Sequence, residues 1–390
     1  MISVEQALDH LFALAAPLEP ETVPLRAAGG RVLARPVTAT RDQPPFAASA
    51  MDGYAVRNED VSPGAAFDVI GEAAAGNGFD GTVGPSQAAR IFTGAPMPKG
   101  SDRVIIQEDV SRDGTRIILN DTFDARAYVR PAGADFCVGN QINAPRILSP
   151  RDVALLASMN IAHVPVTRRP DVAIIATGDE LVMPGETPRA DQIIASNGFG
   201  LAAMLEAHGA TARLLPIARD TRASLRMAFE LAAGADLIVT IGGASVGDHD
   251  LVAPVAQELG MQQSFYKLAM RPGKPLMAGR MGSSAMIGLP GNPVSTMVCG
   301  HVFILPMLRI MLGLGASPAP RSQATLAVDV AANGVREHYM RATLSQDGVR
   351  PVERQDSALL QELARADVLL VRPPNDGPRL AGDMVECIHL

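Results

Sequence analysis

The sequence predicts a multidomain chain of class α/β plus β. A doubly wound α/β domain sits at the centre, a β-rich domain is inserted before it, and a small β-barrel follows it. Three observations carry this reading. Between residues 171 and 312, short apolar runs alternate with segments of helical period. Residues 57–135 and 324–388 show short strand-like runs broken by turns instead. Linkers at 167–170 (TRRP) and 315–321 (GASPAPR) bracket the central stretch. Strands that alternate with helices imply a mostly parallel sheet covered on both faces, and runs of strands alone imply separate β domains. The expected division is 1–42 with 136–168, an insertion 43–135, an α/β domain 169–314 and a barrel 315–390.

Each element has its local reason. Ser3-x-x-Gln6 is a capping-box pattern ahead of a helical apolar face at 4–14. Extended runs are expected at 22–25 and 37–40, with a helical turn at 31–34 between them. Residues 43–56 (QPPFAASAMDGYAV) read as an ordered loop because of their paired prolines and Asp52-Gly53. Strands are expected at 67–70, 89–92, 103–107 and 116–119. Ser149-Pro150-Arg151-Asp152 opens a helix to about Met159, with serine as cap and proline in the first turn, and a short strand follows at 164–166. In the centre, strands at 172–177, 212–217, 237–241 and 285–289 alternate with helices at 197–208, 221–233, 251–259 and from Pro293. Asn197 reads as a helix cap, and Asp220 as the best candidate cap for the next helix. At the end, strands at 324–330, 339–345, 349–353, 368–372 and 383–388 surround a helix at 357–366.

Composition narrows the function. The 47% apolar fraction supplies real cores, and a net charge of −7 argues against a general nucleic-acid or membrane-surface binder. Cys137, Cys299 and Cys387 lie far apart without metal spacing, as expected of reduced thiols in a cytoplasmic protein. The N-terminus has no signal-peptide pattern, and the apolar run 302–312 is too short to span a bilayer and reads as a buried helix. No HExxH, no GxSxG and no base for Ser245 argue against covalent nucleophilic catalysis.

The chemistry-bearing motifs fall at the carboxyl ends of the central strands, where ligands bind in such sheets. TGDELV brings Asp179 and Glu180, and Asp220 precedes the next helix. GGASVGDHD brings Gly242, Gly243, Ser245, Gly247, Asp248 and Asp250. KLAMRPGKP brings Lys267, Arg271 and Lys274, and GLPGNPVS brings Pro290 and Pro293. Glycine-rich turns admit an anion to backbone N–H groups, although a plain tight turn has the same composition. Gathered carboxylates repel one another unless a hard cation such as Mg²⁺ lies among them, although each alone could serve as a cap. Cations fixed by Pro272-Gly273 suit an oxyanion or polyphosphate. Together these features point to electrostatic, metal-assisted chemistry on a phosphorylated ligand.

PPFAASAMDGYAV, RIFTGAPMPKGSDRVI, VRPAGAD, ATGDELV, TIGGASVGDHD, KLAMRPGKPL and GLPGNPVS occur in the order found in molybdopterin molybdenumtransferases. The chain resembles this MoeA family, related to the E domain of gephyrin, over essentially its whole length. The resemblance implies an elongated four-domain homodimer. It also implies a reaction in which adenylylated molybdopterin and molybdate, with Mg²⁺, give AMP and molybdenum cofactor. The cleft would lie between the α/β domain of one subunit and the inserted domain of the other. The molybdopterin adenylyltransferase is the implied upstream partner. By resemblance Asp52, Thr93, Arg130, Asp135, Glu180, Asp220 and Asp250 are important residues. Glu180, Asp220 and Asp250 would hold Mg²⁺, and the GGASVG turn the pterin-side phosphate. Arg271, Lys274, Ser357 and Arg341 would hold molybdate, and Lys267 belongs to the same basic loop. The chain departs from the family pattern at Ala134, Arg271 and Ala358. Two alternatives share the fold: the adenylyltransferase itself, which lacks the SAMDGYA region and the barrel, and a non-catalytic pterin carrier or scaffold.

Overall fold

The computed structural model describes residues 1–243 and 251–390, which cluster into two units: Thr22–Pro165, and Met1–Glu21 with Val166–Leu390. The larger unit is built on a six-stranded sheet. Its order is Thr211–Leu214, Asp171–Ala176, Leu237–Ile241, Ser284–Leu289, Met277–Met281, Gln262–Tyr266. The first four strands run parallel, and the last two add an antiparallel edge. The sheet is therefore mixed. The fifth strand escaped the sequence reading because MAGRM has no β-branched residue and no alternation. Ala176, Ile241 and Leu289 stand in one register row, so the three turns that follow them start level at one sheet edge.

Helices cover both faces. The capping box forms as expected: Ser3 N–H donates to Gln6 Oε1 at 3.0 Å and Gln6 N–H to Ser3 Oγ at 3.1 Å. Helix Val4–Phe12 packs Val4, Ala7, Leu8 and Leu11 into the α/β core. Asn197 is not a cap. It lies inside helix Asn197–Ala207, and its Nδ2 donates to Gly291 O at 2.7 Å. Asp220 is not the cap of helix Arg222–Leu231 either; Thr221 Oγ1 accepts from Ser224 N–H.

The helix expected from Pro293 and the buried helix expected over 302–312 form one continuous helical stretch, Pro293–Met311. A π turn at Gly300–Ile304 precedes Pro306, which has no N–H to give the ladder. By length and composition this stretch could cross a membrane, but 78% of its apolar window is buried within the fold.

The C-terminal strands pair in the order Glu337–Ser345, Val368–Arg372, Met384–His389, Ser322–Thr325, with Gly348–Pro351 on the first. A bridge between Leu326 and Val349 links the two ends of this series. Alternation along Val368–Arg372 divides its side chains between two cores. Val368 and Leu370 face the C-terminal cluster, and Leu369 and Val371 join the α/β core. Helix is confined to Leu360–Ala364 within the expected 357–366.

In the smaller unit, a six-stranded sheet runs Arg103–Ile106, Gly53–Val56, Gln87–Ile91, Ala66–Ala73, Arg116–Leu119, Val110–Asp113. Gly53–Val56, expected in a loop, is thus an inner strand and fully buried. The helical turn expected at 31–34 forms instead at Leu25–Ala27, and Val32–Leu33 is strand.

Candidate functional site

The level turns of the larger unit enclose a cavity of about 730 Å³. Its described lining includes Thr177, Gly178, Glu180, Asp220, Gly242, Gly243, Pro290 and Pro293. Two glycines are required here by close approach. A Cβ on Gly178 (φ 148°) would lie 2.4 Å from Glu180 Oε2, and one on Gly242 (φ 95°) 2.7 Å from Thr177 O. The TGDEL turn is held by Arg219, whose guanidinium donates to Asp179 O at 3.0 Å and Leu181 O at 3.1 Å. Asp220 N–H donates to Asp179 Oδ1 at 3.2 Å. Asp179 therefore ties two turns together. Glu180 accepts no side-chain hydrogen bond and makes no ion pair among the described residues.

A second cavity of about 690 Å³ shares Pro275, Pro290 and Asn292 with the first. Arg271, Lys274, Arg336 and Ser357 line it, with Glu353 and Asp356. None of the three cations has a carboxylate within ion-pair distance among the described residues, and Asp356 Oδ1 is occupied by Ala358 N–H at 2.9 Å. His338 registers the resulting field. Burial first, and then the positive charges of Arg271, Arg372, Arg336 and Arg341, push its pKa down to about 4. A pocket edged by unpaired cations in a chain of net charge −7 is suited to an oxyanion.

Arg341 does not line this cavity. It is 1% exposed, and its guanidinium donates to Leu359 O, Arg354 O and Gln355 Oε1. It holds the loop that carries Ser357, because a buried guanidinium must spend its donors on the nearest acceptors. Lys267 lines neither cavity; its ammonium lies 5.2 Å from the centre of the Tyr266 ring. Ser245, Gly247 and Asp250 lie outside the described residues.

In the smaller unit, Thr93 donates to Asp52 Oδ1 through both N–H and hydroxyl, each at 2.8 Å. The backbone bond, then the hydroxyl bond, hold the Asp52 carboxyl below its ordinary pKa. Arg130 and Asp135 line another cavity of that unit, of about 620 Å³, with Arg41 and Ala134. The structure thus pairs Asp52 with Thr93, and brings Arg130 and Asp135 to one cavity.

Sequence reasoning missed Arg219, Arg336 and the bridging role of Asn292. Arg219 sits beside Asp220, and its adjacency was the available signal. Arg336 has none, because GVREHYMR reads as an ordinary strand entry.

Family models cover nearly all of the chain. Residues 2–160 match the MoeA N-terminal region (domain I and II), 173–310 a probable molybdopterin binding domain, and 323–390 the MoeA C-terminal region (domain IV). A curated molybdopterin molybdenumtransferase of Nostoc sp. is 37% identical, over 96% of this chain and 90% of its own length. The chain belongs to the MoeA family of molybdopterin molybdenumtransferases. A Haemophilus influenzae member is 32% identical over 99% of this chain and 98% of its own. A crystal structure of a molybdopterin biosynthesis MoeA protein from Pyrococcus horikosii superposes with a TM-score of 0.87 at 30% identity, covering 100% of this chain and 99% of that one.

Proposed function

We propose that this chain inserts molybdate into adenylylated molybdopterin with release of AMP, in a magnesium-dependent reaction. The family works in molybdenum cofactor biosynthesis, and this chain is an enzyme of that kind. The observation that carries the finer reading is the juxtaposition of two cavities of opposite character across one proline turn. One presents Glu180 and Asp220, and the other Arg271, Lys274 and Arg336.

The donor set of the first cavity fits a hard cation. Glu180 accepts no side-chain hydrogen bond among the described residues, and Asp220 lines the same cavity. Two protein carboxylates with ligand phosphates and water are what Mg²⁺ ordinarily takes. Glu180 and Asp220 would hold it, and Asp250 is proposed as a third ligand. When bound, Mg²⁺ supplies charge neutralisation at the phosphates of the adenylyl linkage.

The chain's own groups do the rest. Gly242 and Gly243 leave the floor of the cavity free of side chains, so that a phosphate can approach the backbone. Ser245 and Gly247 belong to the same proposed phosphate turn. Arg271, Lys274 and Arg336 compensate the two charges of molybdate, and the Ser357 hydroxyl donates to one of its oxygens. The shared edge at Pro275, Pro290 and Asn292 would bring the anion beside the pterin dithiolene. Arg341 acts at one remove, as the support of the Ser357 loop.

The four-domain division, a cytoplasmic homodimer and supply of substrate by the adenylyltransferase complete the proposal. In that dimer Asp52, Thr93, Arg130 and Asp135 would serve the partner's cleft. The test is AMP release from adenylylated molybdopterin by the purified chain. Release that requires both Mg²⁺ and molybdate is expected. Tight pterin binding without AMP would replace the enzyme reading by the carrier.

A further inference from the structure

We propose that Asn292 is a positioning residue for the anion site: its amide, set in the edge that both cavities share, fixes the Ser357 hydroxyl so that its proton faces the bound oxyanion. The inference rests on the reading of the second cavity as the molybdate site.

Asn292 precedes Pro293 and occupies the N-cap position of helix Pro293–Cys299. An asparagine there ordinarily turns its side-chain oxygen onto the first helical N–H groups. This one makes no such bond. Its Nδ2 reaches across to the C-terminal region and donates to Ser357 Oγ at 3.0 Å. The helix start is served in another way: Val294 N–H donates to Ser357 O, also at 3.0 Å. Ser357 is therefore held to the proline turn at both its carbonyl and its hydroxyl.

A serine hydroxyl has one proton to give. Because Ser357 Oγ accepts from the Asn292 amide, its own proton points away from Asn292. Ser357 lines the cavity with Arg271, Lys274 and Arg336, and its hydroxyl donates to no acceptor among the described residues. An oxyanion among the three cations is the acceptor that completes the set. The neighbouring residue, Ala358, lines the other cavity, so the Asn292–Ser357 contact is also part of the wall between the pterin and anion sides.

Three variants separate donor, cap and shape. Asn292→Ala removes the amide. Asn292→Asp keeps the shape but can only accept, and so draws the Ser357 proton toward itself. Asn292→Ser restores a helix cap that cannot reach Ser357. The measurements are the molybdate dependence of AMP release, the affinity for pterin substrate, and the thermal midpoint as a control of folding. The expected result is a molybdate KM raised about tenfold or more in all three, with kcat and pterin affinity within about twofold of the starting protein. In a double-mutant cycle with Ser357→Ala the effects should fall well short of additive. Should Asn292→Ala fold poorly, the Asp and Ser variants carry the comparison.

Recovery of the molybdate KM in Asn292→Ser would reduce the residue to a cap and overturn the inference. So would an unchanged KM in Asn292→Ala, or a loss confined to pterin affinity. A starting protein whose AMP release ignores molybdate would overturn the functional reading first, and this inference with it.

Discussion

The two adjoining cavities of the larger unit meet at Pro275, Pro290 and Asn292, yet they are built in opposite ways. The first is made of strand-end turns in which glycines bring backbone close and Glu180 has no protein donor among the described residues. The second is walled by residues from the basic loop and the C-terminal region, with three cations that make no ion pair among the described residues. In this unit Arg213 pairs with Asp171 at 2.9 Å and Arg321 with Glu386 at 2.7 Å, whereas Arg271, Lys274 and Arg336 make no ion pair among the described residues. In the proposed reading the magnesium ligands Glu180 and Asp220 and the anion ligands Arg271, Lys274 and Arg336 lie on separate sides of one turn, with Glu353 and Asp356 also on the basic side.

The largest test of that contrast is Glu180→Gln. The variant keeps volume and removes the charge, so AMP release should fall by about a hundredfold or more and need higher Mg²⁺. A loss under threefold would remove Glu180 from the metal side.

The burial of His338 beside arginines, Arg271 and Arg336 among them, can be read by acid titration of stability. His338 has its pKa lowered to about 4, and His301 is lowered to about 4 as well, first by burial and then by His208. A histidine that is harder to protonate folded than unfolded leaves the unfolded chain with more bound protons below its ordinary pKa of 6.5. Stability is therefore intact above about pH 6.5 and falls as the pH drops toward 4, by up to ~3 kcal/mol per group. Denaturant unfolding across that window should show the loss. His338→Asn should remove one share of it, and a pH profile left unaltered by that change would show that His338 is not a source of the loss.

Arg336→Ala comes next, with a rise of about tenfold in the molybdate KM at little change in Mg²⁺ requirement. Arg341→Met should act differently, lowering the thermal midpoint along with molybdate affinity, because its donors hold backbone carbonyls of the Ser357 loop. Equal and purely kinetic effects of the two would erase the distinction between ligand and support. The smallest effect is expected of Lys267→Ala. A side chain over the Tyr266 ring, away from both cavities, should change AMP release by less than about threefold.

Much of the fold was legible because it rests on local chemistry. Ser3 and Gln6 announce their capping box, and the buried run 237–241 announces its strand, because those features depend on neighbours in sequence. Gly53–Val56 was not legible. The prolines and Asp52-Gly53 nearby are true loop signals, and only pairing with Arg103–Ile106 and Gln87–Ile91 makes the segment a strand. Asn197 and Asn292 show the same limit at the site. Asn197 opens its helix one place past the cap and Asn292 holds the cap position itself, yet both spend their amides on distant partners, Gly291 and Ser357.

By itself the sequence determined which groups are available to the candidate site. The TGDEL acids, the glycine pair and the basic loop are fixed by residue type and spacing, and these motifs also carried the family resemblance. Tertiary structure alone decided which groups share a cavity. It placed Arg336 at the anion side and withdrew Arg341 into the support of a loop. Four residues separate these arginines on one strand and its approach, and no rule of sequence tells them apart. Burial does: a guanidinium out of water bonds to the carbonyls around it, and one at the surface keeps its donors for a ligand.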